Sequence, residues 1–118
     1  MAAITITDGV LGAGVEVPFV AASVSDTYDN STQMVSYRLR NENGSGSVTV
    51  TIPKVKTTRD GDADWPTHTI SDITFSLPFG KEYEIANVPR SHIAVDGKVT
   101  VNLSSATNIK CAAVKRPL

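Results

Sequence analysis

Apolar and polar residues alternate along most of the chain, and this period of two recurs in at least five segments, as expected where alternate side chains point to opposite faces of a sheet. Over residues 33–40, Val35, Tyr37 and Leu39 fall on one face and Met34, Ser36, Arg38 and Arg40 on the other. Residues 47–55 repeat the pattern, with Val48, Val50 and Ile52 set against Thr49, Thr51 and Pro53. The Gly/Asn-rich stretch 41–46 supplies positive φ and is expected to close a hairpin between these runs. Ile73, Phe75 and Leu77 alternate with Thr74 and Ser76 until Pro78-Phe79-Gly80, a turn signal. Residues 82–88 form a further short strand carrying Tyr83 and Ile85 on one side. Asp96-Gly97 suits a two-residue type I′ turn and predicts a second hairpin over residues 92–103. Ile109, Cys111 and Ala113 place a last strand before Pro117. With residues 4–7 and 15–24, the count reaches eight or nine strands. Such a count, with turn signals every ~8–12 residues and no helical period, predicts one all-β domain: an antiparallel, jelly-roll-like β-sandwich with little or no helix.

Two stretches break the alternation. The glycine-rich residues 8–14 leave open whether segment 1–14 is an ordered strand or an extended arm. Residues 54–69 exceed the usual loop length, which marks them as a place to look for function.

Composition agrees with strands: fourteen Val, eight Ile and thirteen Thr stand against five Leu. A formal charge of −1 leaves no electrostatic footprint for phosphate backbones or anionic membranes, so neither nucleic acid nor membrane is expected as a partner. No run approaches the ~20 apolar residues of a membrane helix. The single cysteine, Cys111, sits among apolar neighbours and is expected in the core. The first residues, MAAITITDGV, lack the charged and apolar regions of a signal peptide, which predicts synthesis and retention in a reducing cytoplasm.

Candidate chemistry is sparse. Asp60, Asp62 and Asp64 alternate as in the first half of a calcium loop, but Trp65 and Ser71 stand where such a loop needs Gly and Glu. A solvated acidic turn is the favoured reading, with Asp60, Asp62 and Asp64 kept as weak metal candidates. His68 and His92 lack metal-ligand spacing, and neither a G-x-S-x-G elbow nor a phosphate-binding GK[ST] occurs, so no catalytic residues and no cofactor are expected. Trp65 lies in a polar loop and Phe79 in a turn, where aromatic residues either cap the fold or anchor a partner. Arg59, Asp62, Asp64, Trp65 and Phe79 are therefore the candidate partner-binding residues.

From Asn30 onward the chain reads V-x-Y-x-L-R-N-x-N-G, V-T-V-T-I, an acidic loop, I-T-F-S-L-P-F-G, D-G-K-V-T-V and I-K-C-A-A-V. This order resembles the small capsid decoration, or cement, proteins of tailed bacteriophages. The loop from Arg59 to Trp65 and residues 8–18 depart from that pattern. The resemblance implies a structural virion protein, made in the host bacterial cytoplasm. It would bind the outside of the expanded head and stabilise contacts between major capsid protein subunits. It also implies a homo-oligomer, a trimer before a dimer. The alternative is a β-sandwich adhesion or carbohydrate-binding module of a phage tail or fibre.

Overall fold

The computed structural model describes residues 2–8, 16–55, 58–59 and 68–115. Two five-stranded sheets face one another, and a two-stranded ribbon lies apart. The strands are β1 (Ala2–Ala3), β2 (Ile6–Asp8), β3 (Val20–Ala21), β4 (Ser25–Asp29), β5 (Val35–Asn41), β6 (Ser47–Ile52), β7 (Thr58–Arg59), β8 (His68–Thr69), β9 (Ile73–Pro78), β10 (Glu82–Ile85), β11 (Lys98–Leu103) and β12 (Ile109–Lys115). Eight of these have three residues or more, in line with the expected eight or nine, and among the described residues the only helical turn is a 3-10 turn at Arg90–His92.

The first sheet runs β1-β4-β11-β6-β9, and the second β10-β5-β12-β2, with β3 paired to the same strand β12. Longer pairs are antiparallel, whereas β1 on β4 and β2 on β12 are parallel. The alternating apolar residues meet in one core between the sheets. Tyr37, Leu39, Val50, Ile52, Leu77, Val99 and Cys111 are fully buried, and the rings of Tyr28 and Tyr37 stack at 4.7 Å across the interior.

The connections differ from the sequence expectation in a systematic way. Residues 42–46 leave β5 in one sheet and enter β6 in the other, so the expected hairpin is an arch. Asn41 holds it: its Nδ2 donates to Leu77 O at 3.0 Å, and its Oδ1 accepts from Asn43 N at 3.0 Å. The expected hairpin over residues 92–103 is also absent. Asp96-Gly97 does reverse the chain, with Gly97 N–H donating to Ala94 O and Ala94 N–H to Lys98 O, but the arm before it is the 3-10 turn, and β11 pairs with β4 and β6. Gly97 is required here. Its φ is +85° and a Cβ would stand 2.7 Å from Ser31 Cβ. Residues 15–24, expected as a strand, contribute only Val20–Ala21 among the described residues.

The amino terminus closes one side of the sandwich. β1 joins the edge of the first sheet and β2 the edge of the second, so residues 2–8 cross from sheet to sheet instead of extending as an arm. Ile4 N–H donates to Thr27 O at 2.8 Å and Ile4 and Ile6 pack on the core, which fixes the crossing.

Candidate functional site

With β1 and β2 on one side, the opposite side of the sandwich is bounded by β9 and β10, the outer strands of the two sheets. The turn at Phe79-Gly80 carries the chain between them, and Gly80 takes φ +71°, which favours glycine. Between the two edges lies a groove of about 480 Å³ lined by Ile52, Ile73, Phe75, Tyr83, Ile85 and Val88, with Glu82 and Glu84 on its rim. The Phe75 and Tyr83 rings stack across it at 6.0 Å, and Tyr83 stays 40% exposed. Among the described residues no Lys or Arg lines this groove.

Backbone register shows what the edges offer. Phe79 N–H donates to Gly46 O at 2.9 Å, in the same register that opposes Ile73 to Ile52. Bonded pairs alternate in an antiparallel ladder, so Ile73, Phe75 and Leu77 bond to β6 while Thr74 and Ser76 turn their N–H and C=O groups outward. Pro78 falls in the outward set, where it forfeits no ladder bond. By the same alternation, Asn41 N–H donating to Lys81 O leaves the backbone of Glu82 and Glu84 facing away from β5.

The two edges are not equally guarded. β10 is four residues long and exposes Glu82 and Glu84, devices that discourage further strand pairing. Arg40 reaches Glu82 Oε1 at 3.0 Å and Glu42 Oε2 at 3.5 Å, whereas Glu84 forms no ion pair among the described residues. β9 is six residues long and carries no charge.

The sequence-derived candidates separate in space. Phe79 is 51% exposed at the turn between β9 and β10. Arg59 belongs to β7, which pairs with β8 on the excursion between β6 and β9. That excursion leaves β6 at Ile52, opposite Ile73, at the end of the ladder away from Phe79. Asp60, Asp62, Asp64 and Trp65 lie outside the described residues, and the metal and partner readings placed on them are not addressed by the structure. Among the described residues no group of three His, Cys, Asp or Glu side chains is placed to hold a metal ion.

His92 is buried, with Nε2 2.9 Å from Ser71 O and Nδ1 2.9 Å from Ser91 Oγ. It ties the 3-10 turn to the segment entering β9. Cys111 is buried, and burial holds its thiol above the usual range, which suppresses the reactive thiolate. Sequence reasoning set Ile73 and Phe75 on one side of their strand and Tyr83 on one side of the next, and missed the groove they border. The signal available was the absence of charge over residues 73–78, beside a neighbouring strand with two glutamates.

The chain matches no family model, no curated protein and no solved structure.

Proposed function

We propose that this chain is a structural virion protein that decorates the outside of an expanded phage head and fastens neighbouring major capsid protein subunits. The observation that carries it is the inequality of the sandwich's two sides: one is closed by the chain's own amino terminus, and the other presents an apolar groove beside an uncharged strand edge. A rigid fold with an adhesive edge suits a protein that works by contact. Further support comes from the order of strand and turn segments that resembles cement proteins, above all I-T-F-S-L-P-F-G at residues 73–80, which is the stretch that forms β9 and its turn.

The physical basis would be linkage. A protein that binds only the expanded lattice stabilises it by its differential affinity, and many symmetric copies multiply a modest contact energy. The working form is proposed as a homo-oligomer, a trimer before a dimer, on the capsid exterior.

The test mixes purified protein with undecorated expanded shells and with unexpanded shells, and measures co-sedimentation and the shell disruption temperature. Binding that saturates at a fixed copy number per capsomer, is selective for expanded shells and raises the disruption temperature is the expected result. Absence of binding to expanded shells ends this reading, and binding on a glycan array would then support the tail or fibre module.

A further inference from the structure

We infer that Asn43 is a deamidation site held shut by hydrogen bonds: its carboxamide converts to a carboxylate only through the opened arch, and conversion keeps the arch from closing again. Asn43 precedes Gly44 in the connection from β5 to β6. Its Nδ2 donates to Asn41 Oδ1 at 2.8 Å and to Thr107 O at 2.9 Å, and its Oδ1 accepts from Asn108 Nδ2 at 3.2 Å. Thr107 O is a main-chain carbonyl that can only accept, which identifies the end of the carboxamide facing it as the amine. These bonds, together with Glu42 N–H donating to Asn108 O at 2.9 Å, fasten the arch to the turn that enters β12.

Glycine at position 44 is not required by the fold. Gly46, Gly80 and Gly97 take positive φ, but Gly44 does not, and nothing lies within 4 Å of where its Cβ would stand. What this exposed glycine supplies is an unshielded backbone nitrogen beside the carboxamide. Once hydroxide takes the proton of the Gly44 N–H, the nitrogen attacks Asn43 Cγ. The N–Cγ bond forms, the Cγ–Nδ2 bond breaks, and Nδ2 leaves as ammonia with a proton from water, which closes a cyclic imide. Water then opens the ring at either carbonyl to give aspartate or isoaspartate, so the sum consumes water and releases ammonia. The departing Nδ2 carries two of the three bonds, so the arch must open first, and the rate is scaled down by the fraction open. In the aspartate product an oxygen replaces Nδ2 and faces Asn41 Oδ1 and Thr107 O, both acceptors. Asn41 cannot turn its own amine toward that oxygen without giving up its bond to Leu77 O. Isoaspartate inserts a side-chain carbon into the main chain of the arch, which also displaces these partners. None of this depends on the decoration reading.

The test incubates the whole chain and a capped Glu-Asn-Gly-Ser peptide side by side at mildly alkaline pH, and follows Asn43 by peptide mapping and ammonia release. Conversion in the native chain is expected to be slower than in the peptide by about tenfold or more and to speed up in urea below the unfolding transition. Asn108→Gly suits the φ of +55° at that position and removes the donor to Asn43 Oδ1, so it should raise the native rate toward that of the peptide. The urea series on the parent chain reads the same dependence if that variant fails to fold. Gly44→Ala should slow conversion in chain and peptide alike without lowering the urea midpoint. The deamidated chain, isolated by ion exchange, should show a lower urea midpoint and exchange of the Glu42 amide faster by about tenfold, and Asn43→Asp should reproduce both. Equal rates in native chain and peptide, no conversion at Asn43 in the native chain over many peptide half-lives, or a deamidated chain with unchanged Glu42 exchange and urea midpoint would each overturn the inference.

Discussion

Replacing Gly97 by alanine tests the closest approach to any glycine among the described residues. Gly97 has φ +85°, and an added Cβ would lie 2.7 Å from Ser31 Cβ, 3.2 Å from Asp29 Oδ1 and 3.3 Å from Ser31 Cα. Forcing an L-residue into the left-handed region costs about 1–2 kcal/mol. Relieving a contact that short requires the turn at residues 29–31 to shift, and overpacking of this kind costs about 1–3 kcal/mol more. Gly80 supplies the control, because its φ is +71° but nothing lies within 4 Å of where its added methyl would stand, so Gly80→Ala should show only the backbone cost of about 1–2 kcal/mol. Gly97→Ala should therefore be the worse of the two by about 1–3 kcal/mol. Urea unfolding followed by circular dichroism measures both, with unchanged m-values as the condition for comparing midpoints. Adding Ser31→Gly removes the nearest atom, and a double-mutant cycle should return part of the difference as coupling. Equal losses for the two alanine variants, within about 0.5 kcal/mol, would refute the close approach of the 94–98 turn to residues 29–31.

Asn41→Ala should cost about 1–3 kcal/mol, because it breaks the side-chain bond to Leu77 O and leaves the Asn43 amide without its acceptor; a chemical melt indistinguishable from the parent would contradict this. Cys111 should resist a thiol reagent in the native state and react at the rate of global opening as denaturant is added; prompt native-state labelling would show the thiol exposed. Hydrogen bonds from the Ser31 backbone and side chain hold the Asp29 carboxyl below its ordinary range, so its stabilisation is complete above the unfolded-state carboxylate pKa and is lost as pH falls through the folded one. The effect is small because Asp29 is exposed, and Asp29→Asn should flatten that part of the acid stability profile; an unchanged profile would remove Asp29 from the account.

The faces of the strands were legible in the sequence. Val35, Tyr37 and Leu39, Val48, Val50 and Ile52, and Val99, Val101 and Leu103 all turn inward as their alternation required, because the side-chain period of a strand is a local property of the backbone. Strand ends at Pro53 and at the Pro78-Phe79-Gly80 turn were legible for the same reason, since breaker and turn residues act where they stand. The turns at residues 41–46 and 96–97 were legible as reversals but not as hairpins. A turn dipeptide fixes the direction of the chain over a few residues, while the choice between continuing a sheet and crossing to the facing one depends on which strand already occupies the neighbouring edge. Asn41 bonded to Leu77, a residue far along the chain, belongs to that second kind of information.

By itself, then, the sequence determined an all-β chain, its inward faces, its buried cysteine and its near-neutral charge, each a sum of local terms. Tertiary structure decided which edges are covered. Residues 2–8 close one side because Ile4 and Ile6 find the core between two sheets there, and the other side stays open because the chain turns at Phe79-Gly80 and leaves β9 with no outer partner among the described residues. The groove joins Ile52 and Ile73 from one sheet to Tyr83 and Ile85 from the other, and only the packing of the two sheets brings those residues to one place.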